Sequence, residues 1–267
     1  MSFELWDDYR GKIRSKKGGW TIGKIIKSHG YDLMNDLVGQ YSYMQIIALN
    51  ATGRMPRREL ADWLEAIHIC LSWPDPRVWC NRIGALGGSS GTSAVASTCA
   101  GVLAADSRSY GIQPLQAGME FIQRARTDIQ QGLSVTDFID AEIKKHGGKP
   151  HIMGYSRPIV KGDERIPAME KVTKRLGFEV GPHLQLAYDI EKVLSDRFDE
   201  AMNINSYMSG FLSDQDYSPI EVYRLFSVLV FSGVTACHVD AADREQGTFA
   251  PLRASDIIYS GKEAREL

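Results

Sequence analysis

No run of about 18 apolar residues occurs among the 267 of this chain, so the sequence offers no membrane-spanning helix. Nor does it open like a secretory signal: Met1 to Asp8 (MSFELWDD) is acidic, without a charged segment leading into an apolar one. A cytoplasmic location is the expectation. Cysteine is scarce, and Cys70, Cys80, Cys99 and Cys237 contain no C-x-x-C pair. That excludes the common zinc-knuckle spacings and a disulfide framework, and predicts buried, reduced thiols. An excess of one charge is missing too. The 31 Lys and Arg face 33 Asp and Glu, a formal net charge of −2, which gives the whole molecule no electrostatic case for nucleic acid or an anionic membrane. Gly87 to Gly91 (GGSSG) has the letters of a G-x-S-x-G motif but follows no strand, so no serine-hydrolase elbow is read there. No metal is expected, because His146 and His151 flank Gly147 to Pro150 without acidic or thiolate support.

What is present reads as a compact, mainly helical protein. Hydrophobic residues make up 43% and charged residues 24%, the balance of an ordinary globular chain long enough for one large domain or two unequal lobes. Leu60, Trp63, Leu64, Ile67, Cys70 and Leu71 fall at helical spacing over 59–71, and Pro56 upstream suits a first turn. The pattern returns over 134–145 (Val135, Phe138, Ile139, Ile143), stopped by Gly147-Gly148, and over 167–176, stopped by Gly177. A further helix spans 184–198. Ser218-Pro219-Ile220-Glu221 is a capping box that opens a helix running through Phe231, apolar nearly all round and therefore expected in the core. Thr92 to Ala105 (TSAVASTCAGVLAA) predicts a small-residue helix, suited to a close helix–helix or subunit contact. Strand signal is nearly absent.

Two stretches could carry chemistry. Gly84 to Gly91 (GALGGSSG) lacks the lysine of a phosphate-binding P-loop and follows no strand, so it reads as a loop before the small-residue helix. His68, between Ile67 and Ile69 in a helix, reads as a packing residue. Residues 147–175 differ. They hold Lys149, Arg157, Lys161, Arg165, Lys171, Lys174 and Arg175 against three acids. Pro150 and Pro158 restrict the backbone, with Pro167 just beyond. A stiff basic loop is either a solvated charged face or a seat for a phosphorylated or carboxylated ligand, for which Arg offers paired planar donors and Lys a point charge.

Gly154 to Pro167 (GYSRPIVKGDERIP) resembles the loop with which the citrate synthase superfamily grips coenzyme A, Gly-aromatic-Gly-His-Arg-Val-Tyr-Lys followed by Asp-Pro-Arg. Other stretches resemble that superfamily in the same order. They are Gly30-Tyr31-Asp32 with Asp36-Leu37-Val38-Gly39, Ile46 to Pro56, Ala100 to Leu103, Met202-Asn203-Ile204-Asn205 and Gly233 to Tyr259. The likeness is greatest to short members related to citryl-CoA lyase and to the C-terminal module of ATP-citrate lyase. It implies an all-α, two-lobed, dimeric fold with its active site in the cleft between lobes. The large lobe would be 1–111 with 213–267, and the small lobe 112–212.

The resemblance also implies where chemistry should sit. The superfamily's first catalytic histidine falls on Ser109, its second on Arg157 (or Ser156 with a one-residue shift), and its proton-abstracting aspartate on Asn205. Its Asp-His-Gly element falls on Asp75-Pro76-Arg77. Of its carboxylate-binding arginines Arg165 remains, one falls on Val230, and the last lies near Ala250 or Arg253. Tyr155, Ser156, Lys161 and Arg165 would bind the CoA thioester. Asp106, Tyr110, His151 and His238 are secondary candidates, His238 standing one position past the superfamily's histidine, which Cys237 occupies. Asn has no carboxylate and Arg stays protonated, so neither can act as general base, a role that contributes roughly 10²–10⁴-fold. Two functions follow. One is a diverged enzyme, transferase- or lyase-like, making or breaking a carbon–carbon bond beside a carbonyl of a CoA or carrier-protein thioester. The other is a non-catalytic pseudoenzyme that binds CoA or a metabolite for regulation. No permanently bound cofactor is expected in either.

Overall fold

The structure is a computed structural model that describes residues 3–157, 160–244 and 253–266. Its first elements are α1 (Phe3–Tyr9), β1 (Gly18–Thr21), β2 (Ile25–Ser28), β3 (Tyr31–Asp32) and a π-helical turn (Leu33–Leu37). Then follow α2 (Tyr43–Thr52), α3 (Arg58–Leu71), α4 (Trp79–Ser89), α5 (Ala94–Ala105), α6 (Ile112–Gln130) and α7 (Val135–Lys145). The last are α8 (Arg165–Arg175), α9 (Pro182–Phe198), α10 (Ile204–Asp214), α11 (Pro219–Leu225), α12 (Phe231–Ala242) and a 3₁₀ turn (Ala254–Asp256). The small antiparallel sheet departs from the helical expectation. Gly18 lies opposite Ser28, Thr21 opposite Ile25, and Ser28 opposite Tyr31. Its strands are short and β1 is exposed throughout, so no alternation of buried and exposed residues marks it in the sequence.

The chain packs as two compact units, residues 1–70 with 108–227 and residues 71–107 with 228–267. In the first unit α6, α9 and α10 pack together around buried Met119, Ile122, Leu194 and Phe211. Trp63 of α3 is wholly buried and stacks on Phe211 at 4.0 Å. Its indole N–H donates to Thr173 Oγ1 at 2.8 Å, so the largest core side chain carries no unpaired donor. His68 packs as expected, stacked on Phe226 with Nδ1 2.7 Å from the Leu64 carbonyl.

Two expectations are corrected, one within the second unit and one where the chain enters it. Gly84, Gly87 and Gly88 do not form a loop but lie inside α4. A Cβ on Gly84 would come within 2.5 Å of the Val234 carbonyl, and one on Gly88 within 2.3 Å of the His238 carbonyl. The glycines let α12 approach the α4 backbone, which is why a Gly-rich run survives within a helix here. Gly101 of α5 does the same against Val234 and the Cys80 carbonyl. The helix opened by Ser218 also stops early. Its capping box forms as expected, but α11 ends at Leu225 and a turn precedes α12 at Phe231. No Gly or Pro marks the stop. Ser227, Val228 and Val230 are weak helix formers, and there the chain leaves the first unit, where α11 meets α2 and α6, for the second, where α12 meets α4 and α5. Buried thiols are found at Cys80 and Cys237, whereas Cys70 is half-buried and Cys99 exposed, the latter on the outward face of α5. Among the described residues no helix is long and apolar enough to cross a membrane.

Candidate functional site

The basic loop is fastened to the start of α10. α7 ends at Gly147 and Gly148, both at positive φ, as the sequence predicts. The chain then turns inward at Ile152 and Tyr155, both buried. Gly154 has φ +88°, and a Cβ there would meet the Ser206 Cβ at 2.8 Å, so this position requires glycine twice over. Asn203, the N-cap of α10, donates from its backbone N–H to the Gly154 carbonyl at 2.8 Å. Its side-chain amide donates to the Ser156 carbonyl at 2.7 Å, while its Oδ1 accepts from the Asn205 N–H at 2.9 Å. One asparagine thus caps the helix and holds the loop.

Asp163 is the second fastening, and its side chain is wholly buried. Its carboxylate accepts from Arg165 Nε at 2.7 Å and Nη2 at 2.6 Å, from the Arg165 backbone N–H at 3.1 Å, and from the Ile204 N–H at 2.9 Å. Burial alone would raise this carboxyl. The Arg165 guanidinium and the two backbone amides outweigh it and hold Asp163 below the usual carboxylate range. The Ile204 amide also belongs to the first turn of α10, where a negative charge is favoured.

Arg157, Lys161 and Arg165 each have an acid against them. Arg165 is spent on Asp163. Lys161 pairs with Asp199 at the end of α9. Arg157, 14% exposed, lies 3.8 Å from Asp163 and forms a two-pronged pair with Glu164, at 2.5 Å through Nη1 and 3.1 Å through Nη2. That hydrogen-bonded guanidinium depresses the Glu164 carboxyl to about 2. Cys70, at the end of α3, lies near the same cluster. Burial pushes its thiol up, Arg165 pulls it down and Asp163 adds to the rise.

The remaining expected site residues are dispersed. Tyr155 supports the loop from beneath: its ring is fully buried, its hydroxyl donates to the Ala187 carbonyl at 3.0 Å, and burial raises its phenol far above the ordinary value. Ser156 is exposed. Asn205 turns away from the loop towards α6, donating to the Pro114 carbonyl at 2.7 Å and accepting from the Ser209 hydroxyl at 3.1 Å. Gly118 makes room for it, since a Cβ there would come within 2.5 Å of Asn205 Oδ1. Ser109 is exposed and Tyr110 half-buried in the turn before α6, and His151 is exposed. Asp106 and His238 belong to the other unit. Asp106 caps α5, and His238 is 5% exposed with Nδ1 buried and without a hydrogen-bond partner. Asp75 and Arg77 pair with each other there. Arg253 donates its backbone N–H to Asp256, and Ala250 lies outside the described residues. Asp163, Glu164 and Asn203 are neighbours of the loop's arginines and backbone that residue type alone does not reveal. The superfamily's Asp-Pro-Arg was the available signal for Asp163.

No protein-family model matches the chain, and no curated protein sequence matches it. Solved structures do. Citryl-CoA lyase from Hydrogenobacter thermophilus superposes with a TM-score of 0.80 at 23% identity, over 96% of this chain and 97% of that one. The chain has the citrate synthase fold. ATP citrate lyase from Methanothrix soehngenii, solved with citrate and coenzyme A, matches with a TM-score of 0.73 at 18% identity, over 97% of this chain and 44% of that one. Citrate synthase from Thermoplasma acidophilum, solved with carboxymethyl coenzyme A and oxaloacetate, matches at 0.64 and 17%, over 85% and 58%. This chain therefore spans nearly the whole citryl-CoA lyase but less than half of the ATP citrate lyase chain. At such identities the citrate synthase fold is common ground while individual side chains are not.

Proposed function

We propose that this citrate synthase-fold protein binds a CoA or carrier-protein thioester, or a related carboxylate, and makes or breaks a carbon–carbon bond beside its carbonyl. It does so as a diverged lyase- or transferase-like enzyme, not as an efficient citrate synthase. The observation that carries this reading is the fastening of two parts of the loop, residues 154–157 and 163–165, to α10 by Asn203 and Asp163, with the Arg157 guanidinium beside Asp163. Two solved proteins of the fold hold coenzyme A or its carboxymethyl derivative together with a carboxylic acid. The lobes 1–111 with 213–267 and 112–212 belong to the same reading. Coenzyme A at 100 times its dissociation constant is expected to add roughly 2.7 kcal/mol of stability, read as a rise in melting temperature. Arg157→Ala should reduce the affinity for citryl-CoA, which carries carboxylates as well as the CoA part, at least about tenfold. No rise with CoA, acetyl-CoA or citryl-CoA removes the thioester reading. Steady turnover of acetyl-CoA with oxaloacetate above about 1 s⁻¹ would contradict the second half of the proposal.

One observation favours the pseudoenzyme. Both polar ends of the Asn205 side chain are occupied, one by the Pro114 carbonyl of α6 and the other by the Ser209 hydroxyl of its own helix, so the position at which the resemblance places the base serves structure. Binding of citryl-CoA with no cleavage over hours selects this reading over the enzyme.

A homodimer is part of the proposal. α5 carries no charged residue, yet Val95 is 74% and Leu103 76% exposed, two helical turns apart on one face. Phe231 and Val239 stand at the same spacing on neighbouring α12, joined to α5 through Thr98 and Thr235. An apolar face across two packed helices suits an isologous contact with a second copy. Leu103→Asp is expected to weaken self-association at least about tenfold in sedimentation equilibrium, because it would bury an unpaired charge. An unchanged dimer moves the interface elsewhere.

A further inference from the structure

Three arginine–carboxylate contacts share the loop, and they are not equivalent. Asp163 is wholly buried and also accepts from Ile204, so Arg165 cannot release it without unfastening α10. Arg157 also borders Asp163, but only at 3.8 Å and through one nitrogen. The contact between Arg157 and Glu164 is of another kind. Arg157 is mostly buried and fixed, its Nη1 also reaching the Gly162 carbonyl at 3.5 Å, whereas Glu164 is 68% exposed. Two guanidinium nitrogens meet two carboxylate oxygens, the paired geometry by which arginine recognises any carboxylate. The acid is on the solvent side and the arginine on the protein side.

We propose that Glu164 is a built-in competitor that fills the Arg157 carboxylate seat until a ligand carboxylate displaces it. This rests on the reading of the loop as a ligand site, and adds that the seat takes a carboxylate and that Glu164 sets its threshold. Displacement is cheap because an exposed acid regains its hydration on leaving, and exposed ion pairs contribute little. Arg165 is not a second seat, since Asp163 holds both its Nε and Nη2. Nor is Glu164 a ready proton acceptor, because its pairing with Arg157 depresses its basicity. Arginine pairs in this two-pronged way with phosphates as well as carboxylates, and it is the carboxylate already seated on Arg157, that of Glu164, that points to a carboxylate ligand.

The test is calorimetric titration of the full chain with citrate, inorganic phosphate and CoA, in wild type, Glu164→Gln, Arg157→Gln and the double variant, at one pH and ionic strength. Glu164→Gln alters an exposed side chain and should leave folding intact. It is expected to tighten citrate about two- to fivefold. Arg157→Gln is expected to weaken citrate at least about tenfold, and the double variant to match Arg157→Gln, because the competitor has nothing left to compete for. Citrate affinity unchanged or weaker in Glu164→Gln overturns the proposal. So does the absence of citrate binding in every variant up to about 10 mM, or a larger gain for phosphate than for citrate. The two readings fail separately. If citrate follows this pattern while CoA does not bind, the seat stands and the thioester reading falls. If CoA binds while citrate ignores both substitutions, only the seat falls.

Discussion

Asp163→Ala is expected to lower the unfolding free energy by about 3–5 kcal/mol, the range for breaking a buried ion pair by removing one partner. The carboxylate has no exposed surface and receives four donors. Its loss leaves the Arg165 guanidinium, three-quarters buried, without its partner, and the Ile204 N–H at the start of α10 without an acceptor. Asp163→Asn keeps one acceptor oxygen but turns an amide group towards Arg165, and should cost about 2–3 kcal/mol. Urea denaturation midpoints at pH 7 measure both. The pH dependence gives a second check. Because the native carboxyl lies below its unfolded value, its contribution is fully present above about pH 4 and is lost as pH falls through the native value. The gap between wild type and Asp163→Asn should therefore narrow in acid. A gap that stays constant from pH 7 to pH 3 would show that charge is not what holds the loop.

The same residue marks how far the sequence could be read. Helical periodicity places α3, α7, α8 and α9 to within about two residues, because each buries one apolar face and has a Pro, Ser or Gly at an end. It fails where local signals conflict with packing. The glycines of α4 look like a loop because their purpose, room for the α12 backbone, depends on a helix far away in sequence. The gap between α11 and α12 has no punctuating residue at all.

The candidate site was legible in its frame and not in its pairing. Order and spacing of the 154–165 loop pointed to the citrate synthase fold. Composition counted Arg157, Lys161 and Arg165 as a basic face, yet each has an acid against it. Asp199 is 38 residues from its lysine, and the Ile204 amide 41 from Asp163, separations that no local pattern reports. Tyr155 likewise has the residue type of a ligand contact, but its hydroxyl is bound to a carbonyl 32 residues on.

Asn205→Asp is expected to destabilise the protein by about 2 kcal/mol at pH 7, although it introduces the acid that the resemblance places at this position. The Asn205 amide donates to the Pro114 carbonyl at 2.7 Å. An ionised carboxylate has no proton to donate, so two acceptors would face each other, a penalty of about 1–3 kcal/mol or more where one is charged. The side chain cannot swing aside easily, with Gly118 already the smallest neighbour possible and the Ser209 hydroxyl on its other end. The first turns of α10 and α6 would each favour the new charge by about 0.3–1 kcal/mol, which offsets part of the cost. Protonation restores a donor, so the native state should hold this carboxyl above its unfolded value. The sign then runs opposite to that of Asp163: the defect is greatest at neutral pH and fades as pH falls towards 4. Turnover of acetyl-CoA with oxaloacetate should not appear in the variant, because the new carboxylate faces Pro114 and the positions onto which the resemblance maps the superfamily's histidines hold Arg157 and Ser109. Turnover above about 1 s⁻¹ in Asn205→Asp would instead mean that a single substitution separates this chain from that chemistry, and that the rest of its site remains assembled.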